Sequence, residues 1–498
     1  MSRFLSPEEI AELQPSELLP NETPIPTQIV SSDEFYPTPQ TGPQKQVEAR
    51  LLAMADELGS HQGMNRRQFF RSAAGMAAAF VAMNEVYGLV FGASRAEAAS
   101  PELANERAGT YRDQFIMDMH THFLRDDTRL ERFVRMREAV GRAGWNKPLG
   151  EREQTLEDLK YENYLKEIYL DSDTKIALIS SSPSDEAQDW FLTNEQMAEA
   201  REKVNAHAGS KRLYTHAIFT PGQPGWLEQL DAALELKPDS VKGYTVGDNT
   251  HKATSRYPWR MDDEQVAYKG YEKMLKAGVK NVCVHKGLFP PSMDERYPHL
   301  RDYADVRDVA QAAKDWPDLN FIIYHSGYRH VGGDPAVALQ EFETTGRIDW
   351  VSDLADIPEK YGVSNVYGDL GQVFATTLVA QPRVCAAIMG ILVRGLGADH
   401  VCWGTDAIWT GSPQWQIEGL RRLEIPEDMR RRHGFAELGA ADGAVKNAIF
   451  GGNNARLYGL SEQARRAFAG DRMAAIKADY ERNGAERSNL RYGYVARG

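Results

Sequence analysis

From Tyr111 onward, short apolar runs of five to seven residues alternate with longer stretches of helical character. This alternation is typical of parallel strands that are joined by crossover helices. The sequence predicts eight strands, at 114–122, 175–181, 212–219, 239–245, 281–286, 320–326, 365–370 and 400–405. Eight such units predict an α/β fold, a closed (β/α)8 TIM barrel over residues 111–460, with its active face at the carboxyl ends of the strands.

Two connections are longer than an ordinary loop between a strand and a helix. Residues 123–174 carry a helical pattern of their own, and residues 247–264 contain Arg256 and Trp259. We expect both segments to lie above the barrel mouth as lids. The charged stretch 461–498 predicts a peripheral helix followed by a tail.

The chain before the barrel divides into two parts. Residues 1–63 are rich in Pro, Glu, Ser and Gln, a composition that buries too little apolar surface to offset the entropy of ordering. We therefore expect that part to be mostly disordered. Residues 64–98 contain the pair Arg66-Arg67, then a weakly apolar run and a small-x-small site ending at Ala98.

This order of features resembles a twin-arginine export signal, which predicts recognition by the twin-arginine export machinery and a periplasmic or other extracytoplasmic location. The alternative is an ordinary amphipathic helix with a chance arginine pair. Asn84 and Glu85 interrupt the apolar run, so it is shorter than the roughly 20 apolar residues that span a bilayer. We expect no stable membrane anchor.

Charge and cysteine content exclude some partners. The chain has 58 Lys and Arg against 71 Asp and Glu, a formal net charge of −13, and no long basic stretch. Nucleic acid is therefore not an expected partner, whereas a small-molecule substrate is. The three cysteines have no C-x-x-C spacing and imply no disulfide framework. The oligomeric state is left open, a homo-oligomer included.

Histidines and an aspartate end several of the predicted strands. His120 and His122 end the first strand, His285 the fifth, His325 the sixth and Asp406 the eighth. All of them therefore lie at the same end of the barrel. Burying several imidazoles and a carboxylate together is costly without a cation, so the set predicts a metal site.

The alternation of side chains along the first strand refines this expectation. Residues i and i+2 of a strand share a face, so His120 and His122 point into the barrel if Asp118 does. Met117 and Met119 then face the helices. Asp118 either holds an imidazole from behind or is simply a polar residue of the barrel layer.

Nitrogen and carboxylate ligands without a thiolate indicate the metal. Such a set suits one divalent ion, with Zn²⁺ as the default and Mn²⁺, Fe²⁺ or Co²⁺ as alternatives. A divalent metal lowers the pKa of a bound water to roughly 7, which supplies a nucleophile at neutral pH.

The pattern also resembles a known family. Asp118-Met-His120-Thr-His122, His285, His325 and Gly404-Thr-Asp406 are similar to motifs of the amidohydrolase superfamily. Phe450-Gly-Gly-Asn-Asn-Ala-Arg-Leu-Tyr-Gly resembles the closing helix of its amidohydrolase-related branch, which includes aminocarboxymuconate semialdehyde decarboxylase.

The resemblance covers about residues 112–460 and implies a role for each of these residues. His120, His122, His285 and Asp406 would bind one metal ion, and His325 would stand beside the bound water. In other branches a carboxylated lysine at the position of Lys242 bridges two metals, and His325 is then a ligand as well. We prefer one metal, with Lys242 as a structural or substrate-facing cation.

The leading functional hypothesis is a metal-dependent hydrolase that attacks a C–N or C–O bond of a small carbonyl compound. His325 and Asp406 would be its catalytic residues, because an imidazole and a carboxylate can orient the water or transfer its proton. The alternative is a nonoxidative decarboxylase of an aromatic or enolic acid at the same site. A third hypothesis is a periplasmic binding protein in which the metal only holds ligand.

Substrate contacts are predicted from the loops above the strand ends. Arg329, ahead of Arg256, is the candidate that would grip an acid; otherwise it is a solvated loop arginine. Aromatic residues on these loops would wall an apolar pocket, unless they only pack the lids. These residues are Trp259, Phe289, Trp409 and Trp415.

Overall fold

The computed structural model describes residues 23–32, 34–144, 147–150 and 153–485. All eight predicted strands are present in the predicted order. They are β1 (Met117–Thr121), β2 (Ile176–Ile179), β3 (Leu213–Phe219), β4 (Ser240–Tyr244), β5 (Asn281–His285), β6 (Asn320–Tyr324), β7 (Val366–Asp369) and β8 (Val401–Cys402). They pair in parallel in the order β1 to β8.

Backbone hydrogen bonds between β1 and the segment after β8 bring the two edges of the sheet together. Met119 donates to Trp403 over 3.1 Å, and Asp406 donates to His120 over 2.8 Å. Thr121 forms a parallel bridge with Ala407. The fold is therefore a (β/α)8 barrel, as the spacing of the apolar runs predicts.

The helices of the described chain fall into an N-terminal group, the barrel and a C-terminal pair. The N-terminal group is α1 (Gly42–His61), α2 (Arg66–Phe70), α3 (Ala73–Tyr87), α4 (Arg95–Ala99) and α5 (Pro101–Tyr111). The barrel and its insertions contain α6 (Glu131–Arg142), α7 (Lys147–Gly150), α8 (Tyr161–Leu165), α9 (Asn194–Ala208), α10 (Trp226–Glu235), α11 (Ala267–Lys276), α12 (Pro291–Arg296), α13 (Arg301–Ala304), α14 (Val309–Asp315), α15 (Ala336–Thr345), α16 (Val351–Ala355), α17 (Ile357–Tyr361), α18 (Val373–Ala380), α19 (Pro382–Gly395), α20 (Gln414–Arg422), α21 (Glu427–His433), α22 (Ala444–Asn447) and α23 (Asn453–Leu457). The C-terminal pair is α24 (Glu462–Ala467) and α25 (Arg472–Arg482), and the remainder of the predicted tail, 486–498, lies outside the described residues.

The interior of the barrel is built by one cluster of apolar side chains that seven strands contribute. Its strand members are Met117, Met119, Ile176, Leu178, Tyr214, Cys283, Ile322, Tyr324, Tyr367 and Cys402. The prediction that Met117 and Met119 face the helices is therefore wrong. The register of β1 against β2 shifts between Asp118 and Thr121, which interrupts the simple alternation of faces.

The prediction of disorder up to residue 63 is wrong for its second part. Helix α1 is capped by Thr41, whose hydroxyl accepts from the backbone of Gln44, and it buries Val47, Leu51 and Leu58. A prediction from overall composition overlooks this periodic apolar face, because the prolines before Gly42 dominate the average. Residues 1–22 lie outside the described residues.

The segment predicted to be an export signal is packed into the body of the protein. Helix α3 is buried continuously from Ala74 to Met83 and contacts α1, α4 and α5. Arg422 of α20 forms an ion pair of 2.6 Å with Glu97. Among the described residues, no helix combines the length and the apolar character that crossing a membrane requires.

The two predicted lids meet the N-terminal segment above the strand ends. Arg132 of α6 donates to the carbonyl oxygen of Thr250 over 2.6 Å, and also to that of Glu34 over 3.4 Å. One side chain thus joins the insertion 123–174, the loop 247–264 and the N-terminal segment.

Candidate metal centre

Three of the predicted metal ligands converge at one point of the barrel mouth. Oδ1 of Asp406 lies 3.3 Å from Nε2 of His120 and 3.2 Å from Nε2 of His122. The three side chains are at most 3% exposed. Ligand atoms about 3.4 Å apart are expected around a tetrahedral zinc ion with bonds of about 2.1 Å.

The other two predicted histidines form an adjoining group with a residue from the N-terminal segment. Nε2 of His285 lies 3.0 Å from Oε2 of Glu34, and the rings of His285 and His325 are 4.5 Å apart. Ligand atoms of Glu34, His285 and His325 lie within 4.8 Å of one another. His285 therefore sits with His325 and not within the group of His120, His122 and Asp406.

In three of the four predicted histidines, Nδ1 lies within hydrogen-bond distance of an acceptor. Nδ1 of His120 lies 3.1 Å from Oδ1 of Asp369, and Nδ1 of His122 lies 2.8 Å from the carbonyl oxygen of Ser180. Nδ1 of His325 lies 2.9 Å from the carbonyl oxygen of Gly371. Because these nitrogens donate, the Nε2 atoms are left with the lone pair that metal binding needs.

Two buried polar atoms at the centre lack a hydrogen-bond partner within the described part of the chain. They are Oδ2 of Asp406 and Nε2 of His325. Leaving such atoms unsatisfied is costly, and a cation bound at this centre would lower that cost. The residues present therefore fit a divalent metal ion.

The electrostatics of the site agree with this fit. Burial lowers the pKa of His120 and His325 well below its usual value, and that of His122 to about 3, which keeps the imidazoles neutral as metal ligation requires. Burial also raises the pKa of Asp406 well above its usual value. A bound cation would favour its carboxylate form again.

Lys242 reaches this centre from β4. Its Nζ lies 3.4 Å from Nε2 of His120 and 3.5 Å from the centre of the Tyr324 ring. Burial lowers the pKa of Lys242 to about 8. The lysine is therefore a buried amine beside the predicted metal ligands, near enough to face a substrate.

The backbone at two of the strand ends takes the left-handed conformation. His325 has φ 63° directly after β6, and Asp406 has φ 59° after β8. Residues other than glycine rarely adopt this region, and their occurrence here matches the clustering of strained backbone at functional sites.

Sequence comparison decides the family. Residues 117–460, more than two thirds of the chain, match the family described as Amidohydrolase. The protein belongs to the amidohydrolase family. The match covers all eight strands of the barrel and, with them, every predicted ligand. The chain is thus an enzyme of the amidohydrolase type with a candidate histidine and aspartate metal site.

Solved structures of three other proteins are similar to this amidohydrolase. A 2,6-dihydroxybenzoate decarboxylase from Rhizobium has 16% identity and a TM-score of 0.37, over 70% of this chain and 99% of that one. A 5-carboxyvanillate decarboxylase from Sphingomonas paucimobilis has 13% identity and a TM-score of 0.40, over 70% and 100%. A probable 2-pyrone-4,6-dicarboxylic acid hydrolase from Acinetobacter baumannii has 14% identity and a TM-score of 0.36, over 69% and 99%. No curated protein matches the sequence.

Arg329 does not take the substrate-binding position predicted for it in this amidohydrolase. Its Nε donates to the carbonyl oxygen of Phe289 and its Nη1 to Asp349 over 2.8 Å, while its Nη2 pairs with Asp294. The guanidinium also lies over the ring of Trp350. These contacts fix the loop after β6, so the prediction that Arg329 grips an acid is not supported. Arg256 is exposed and pairs with Asp185 and Glu186.

One of the four predicted aromatic residues lines the centre. The ring of Trp409 lies 5.5 Å from that of His122 and packs against Phe133 and Phe191. The indole N–H groups of Trp259 and Trp415 donate to the backbone oxygens of Tyr244 and Thr410. Phe289 is buried in the main core cluster.

Asp118 takes the second of the two roles left open for it. Its carboxylate accepts from the backbone N–H groups of His120 and Thr405 and from the Thr405 hydroxyl. It therefore ties β1 to the end of β8 and holds no imidazole.

Sequence reasoning missed two residues of the centre. Asp369 contacts Nδ1 of His120 and is the last residue of β7. Its place at a strand end, like that of the predicted ligands, could have identified it from the sequence. Glu34 lies in a proline-rich stretch far from the barrel in sequence, and no local pattern points to it.

Proposed function

We propose that this amidohydrolase uses one divalent metal ion to hydrolyse a C–N or C–O bond of a small carbonyl compound. The observation that carries the proposal is the buried group of His120, His122 and Asp406, with the unpaired Nε2 of His325 beside it. The nitrogen and oxygen donors favour zinc, and they also accommodate Mn²⁺, Fe²⁺ or Co²⁺.

A bound divalent ion would supply a water of lowered pKa and would polarise the carbonyl under attack. His325 is positioned to accept a proton, because its Nδ1 donates to Gly371 and its neutral Nε2 carries a lone pair. Oδ2 of Asp406 is a second acceptor. The side chains of this site are buried, which strengthens each of these interactions.

The test is hydrolysis in water labelled with ¹⁸O, using a panel of small amides, lactones and esters. One labelled oxygen atom per turnover is expected in the product, and chelation of the metal should stop the reaction. Replacement of His325 by Ala should lower kcat by about 10²-fold or more. Release of carbon dioxide without incorporation of label would overturn the proposal.

A nonoxidative decarboxylase is the second candidate function. It is favoured by the neighbourhood of a buried amine, Lys242, and an aromatic wall around Trp409, which together suit an aromatic acid. Lys242 then takes the part that the sequence had suggested for Arg329. If the parent protein releases carbon dioxide from aromatic acids and the variant Lys242→Met does not, this candidate is favoured.

Export by the twin-arginine route is a further proposal. It is supported by the order of features around Arg66 and Arg67 in the sequence. With this pair replaced by Lys-Lys, the protein should stay inside the cell on fractionation. Unchanged delivery to the periplasm would contradict the proposal.

A further inference from the structure

The described residues of the stretch 23–40, which precedes helix α1, pack against the barrel. Ile25, Ile29 and Val30 are at most 2% exposed and belong to the same core cluster as the outer faces of the strands. The side-chain amide of Gln372, which follows β7, donates to the carbonyl oxygen of Val30 over 3.0 Å. The chain before Glu34 is therefore anchored at the strand ends.

The chain after Glu34 is anchored as well. Phe35 is buried, and its carbonyl oxygen accepts from the hydroxyl of Ser31 over 2.6 Å. Gly332, with φ +67°, lets this stretch approach so closely that a Cβ there would lie 3.1 Å from the Tyr36 oxygen. Anchors on both sides thus fix where Glu34 can place its carboxylate.

That carboxylate lies against the predicted metal site. Oε2 of Glu34 is 3.0 Å from Nε2 of His285 and belongs to the group that His285 and His325 complete. The unpaired Nε2 of His325 is in this same group. Glu34 and His285 thus offer a carboxylate oxygen and an imidazole nitrogen, both common ligands of divalent cations, beside the nitrogen of His325.

We propose that Glu34 is a ligand of the divalent metal centre, supplied by the N-terminal segment. This inference rests on the metal centre of the proposed function. A bound metal ion would replace the 3.0 Å contact between Nε2 of His285 and Oε2 of Glu34, because ligating imidazoles bind through a deprotonated nitrogen. The rings of His120 and His325 lie 5.0 Å apart, so the group of Glu34, His285 and His325 adjoins that of His120, His122 and Asp406.

Cleavage of the chain after Ala98 would separate Glu34 from the barrel. Residue 34 lies before the small-x-small site at Ala98, so removal of the chain up to that site would remove a metal ligand. The site itself is closed in the fold: Ala98 is 0% exposed, and Glu97 is paired with Arg422. If Glu34 is a ligand, we therefore expect the metal-loaded enzyme to retain its N-terminal segment.

The test compares the full-length protein with Glu34→Gln and with the matched control Glu48→Gln. Glu48, in helix α1, is also a carboxylate that accepts hydrogen bonds from the stretch before that helix, from Thr27 and Gln40, but it lies outside the metal groups. Each protein is stripped of metal by a chelator and titrated with Co²⁺, whose visible absorption reports the ligands. Zn²⁺ affinity is measured in parallel by competition with a coloured chelator.

Glu34→Gln is expected to weaken Co²⁺ and Zn²⁺ binding at least tenfold, the lower end of losses of roughly 10–100-fold seen even for residues behind the ligands. Its Co²⁺ spectrum should also change, whereas Glu48→Gln should match the parent protein. Glu34→Asp, which keeps a carboxylate, should recover part of the affinity, and a purely structural role would not produce that rescue. Thermal unfolding of the metal-free proteins checks that all of them fold.

Unchanged metal affinity and spectrum in Glu34→Gln would overturn the inference. Faster turnover with unchanged metal affinity would also overturn it, since Glu34 would then block the substrate. Intact-mass analysis of metal-loaded protein from its native cells should find residue 34 present, and a loaded chain that begins after Ala98 would refute the inference. A parent protein that binds no metal would instead contradict the proposed function itself.

Discussion

Oδ1 of Asp369, at the end of β7, lies 3.1 Å from Nδ1 of His120, the imidazole whose Nε2 faces Asp406. The carboxylate also accepts from the backbone N–H of Gly371 over 2.8 Å. A carboxylate held in this way fixes the tautomer and the orientation of the ring in front of it. Asp369 therefore positions His120 for metal ligation.

Replacement of Asp369 by Asn should weaken metal binding by about 10–100-fold, because an amide does not hold the ligating tautomer of His120 as a carboxylate does. Chelator competition measures the effect. Asp399→Asn is a suitable control, since Asp399 is an exposed partner of His400. Equal metal affinity in Asp369→Asn and the parent protein would show that Asp369 does not position His120.

Replacement of Arg329 by Gln tests the reassignment of this residue. We expect a loss of about 2–4 kcal/mol in the free energy of unfolding, since Asp294 and Asp349 lose a partner that is itself buried. The KM of the folded variant should equal that of the parent protein, as measured by steady-state kinetics. A large rise in KM without loss of stability would restore the substrate-binding role.

The stability of the metal-free protein should depend on Asp118. Burial, opposed by hydrogen bonds from Thr405 and His120, raises the pKa of Asp118 from 3.8 to about 7. Because the folded-state pKa lies above the unfolded value, this contribution to stability is full below pH 4 and is lost as the pH rises through about 7.

Asp118→Asn mimics the protonated acid and should remove this dependence. Chemical denaturation of both metal-free proteins from pH 4 to pH 8 should therefore show the parent losing stability relative to the variant, by a few kcal/mol at most. A difference between the two proteins that is constant with pH would contradict the assignment.

Helix α3 should contribute to the stability of the folded enzyme. Phe80 is fully buried and packs against Phe91 at 4.9 Å, so Phe80→Ala should lower the free energy of unfolding by about 3–5 kcal/mol. Leu89→Ala, at a position 82% exposed, should change it by less than about 0.5 kcal/mol. If urea denaturation finds both variants equal to the parent, α3 is not part of the cooperative fold.

The barrel could be predicted from the sequence because its signal is local. Each strand is a short apolar run, and the alternation of runs with helical stretches specifies the topology. The same local logic found His285, His325 and Asp406, since each directly follows an apolar run. It fails within β1, where a shift in register changes the faces of Met117 and Met119.

The N-terminal contribution depends on contacts that are remote in sequence. Glu34 and His285 are 251 residues apart, and no periodicity within 23–40 indicates their meeting. The contacts of Arg329 are hidden from the sequence for the same reason. Its partners Asp294 and Asp349 lie on other segments, so only the folded chain shows that its donors are already used.

Elemental analysis of the purified native protein, with His120→Ala for comparison, tests the central claim most directly. The claim is that His120, His122 and Asp406 hold a divalent ion on which activity depends. We expect about one ion for each chain of the parent protein and a strongly reduced content in the variant, with activity lost in parallel. A fully active parent protein without bound metal, or a variant that keeps its full metal content, would contradict the claim.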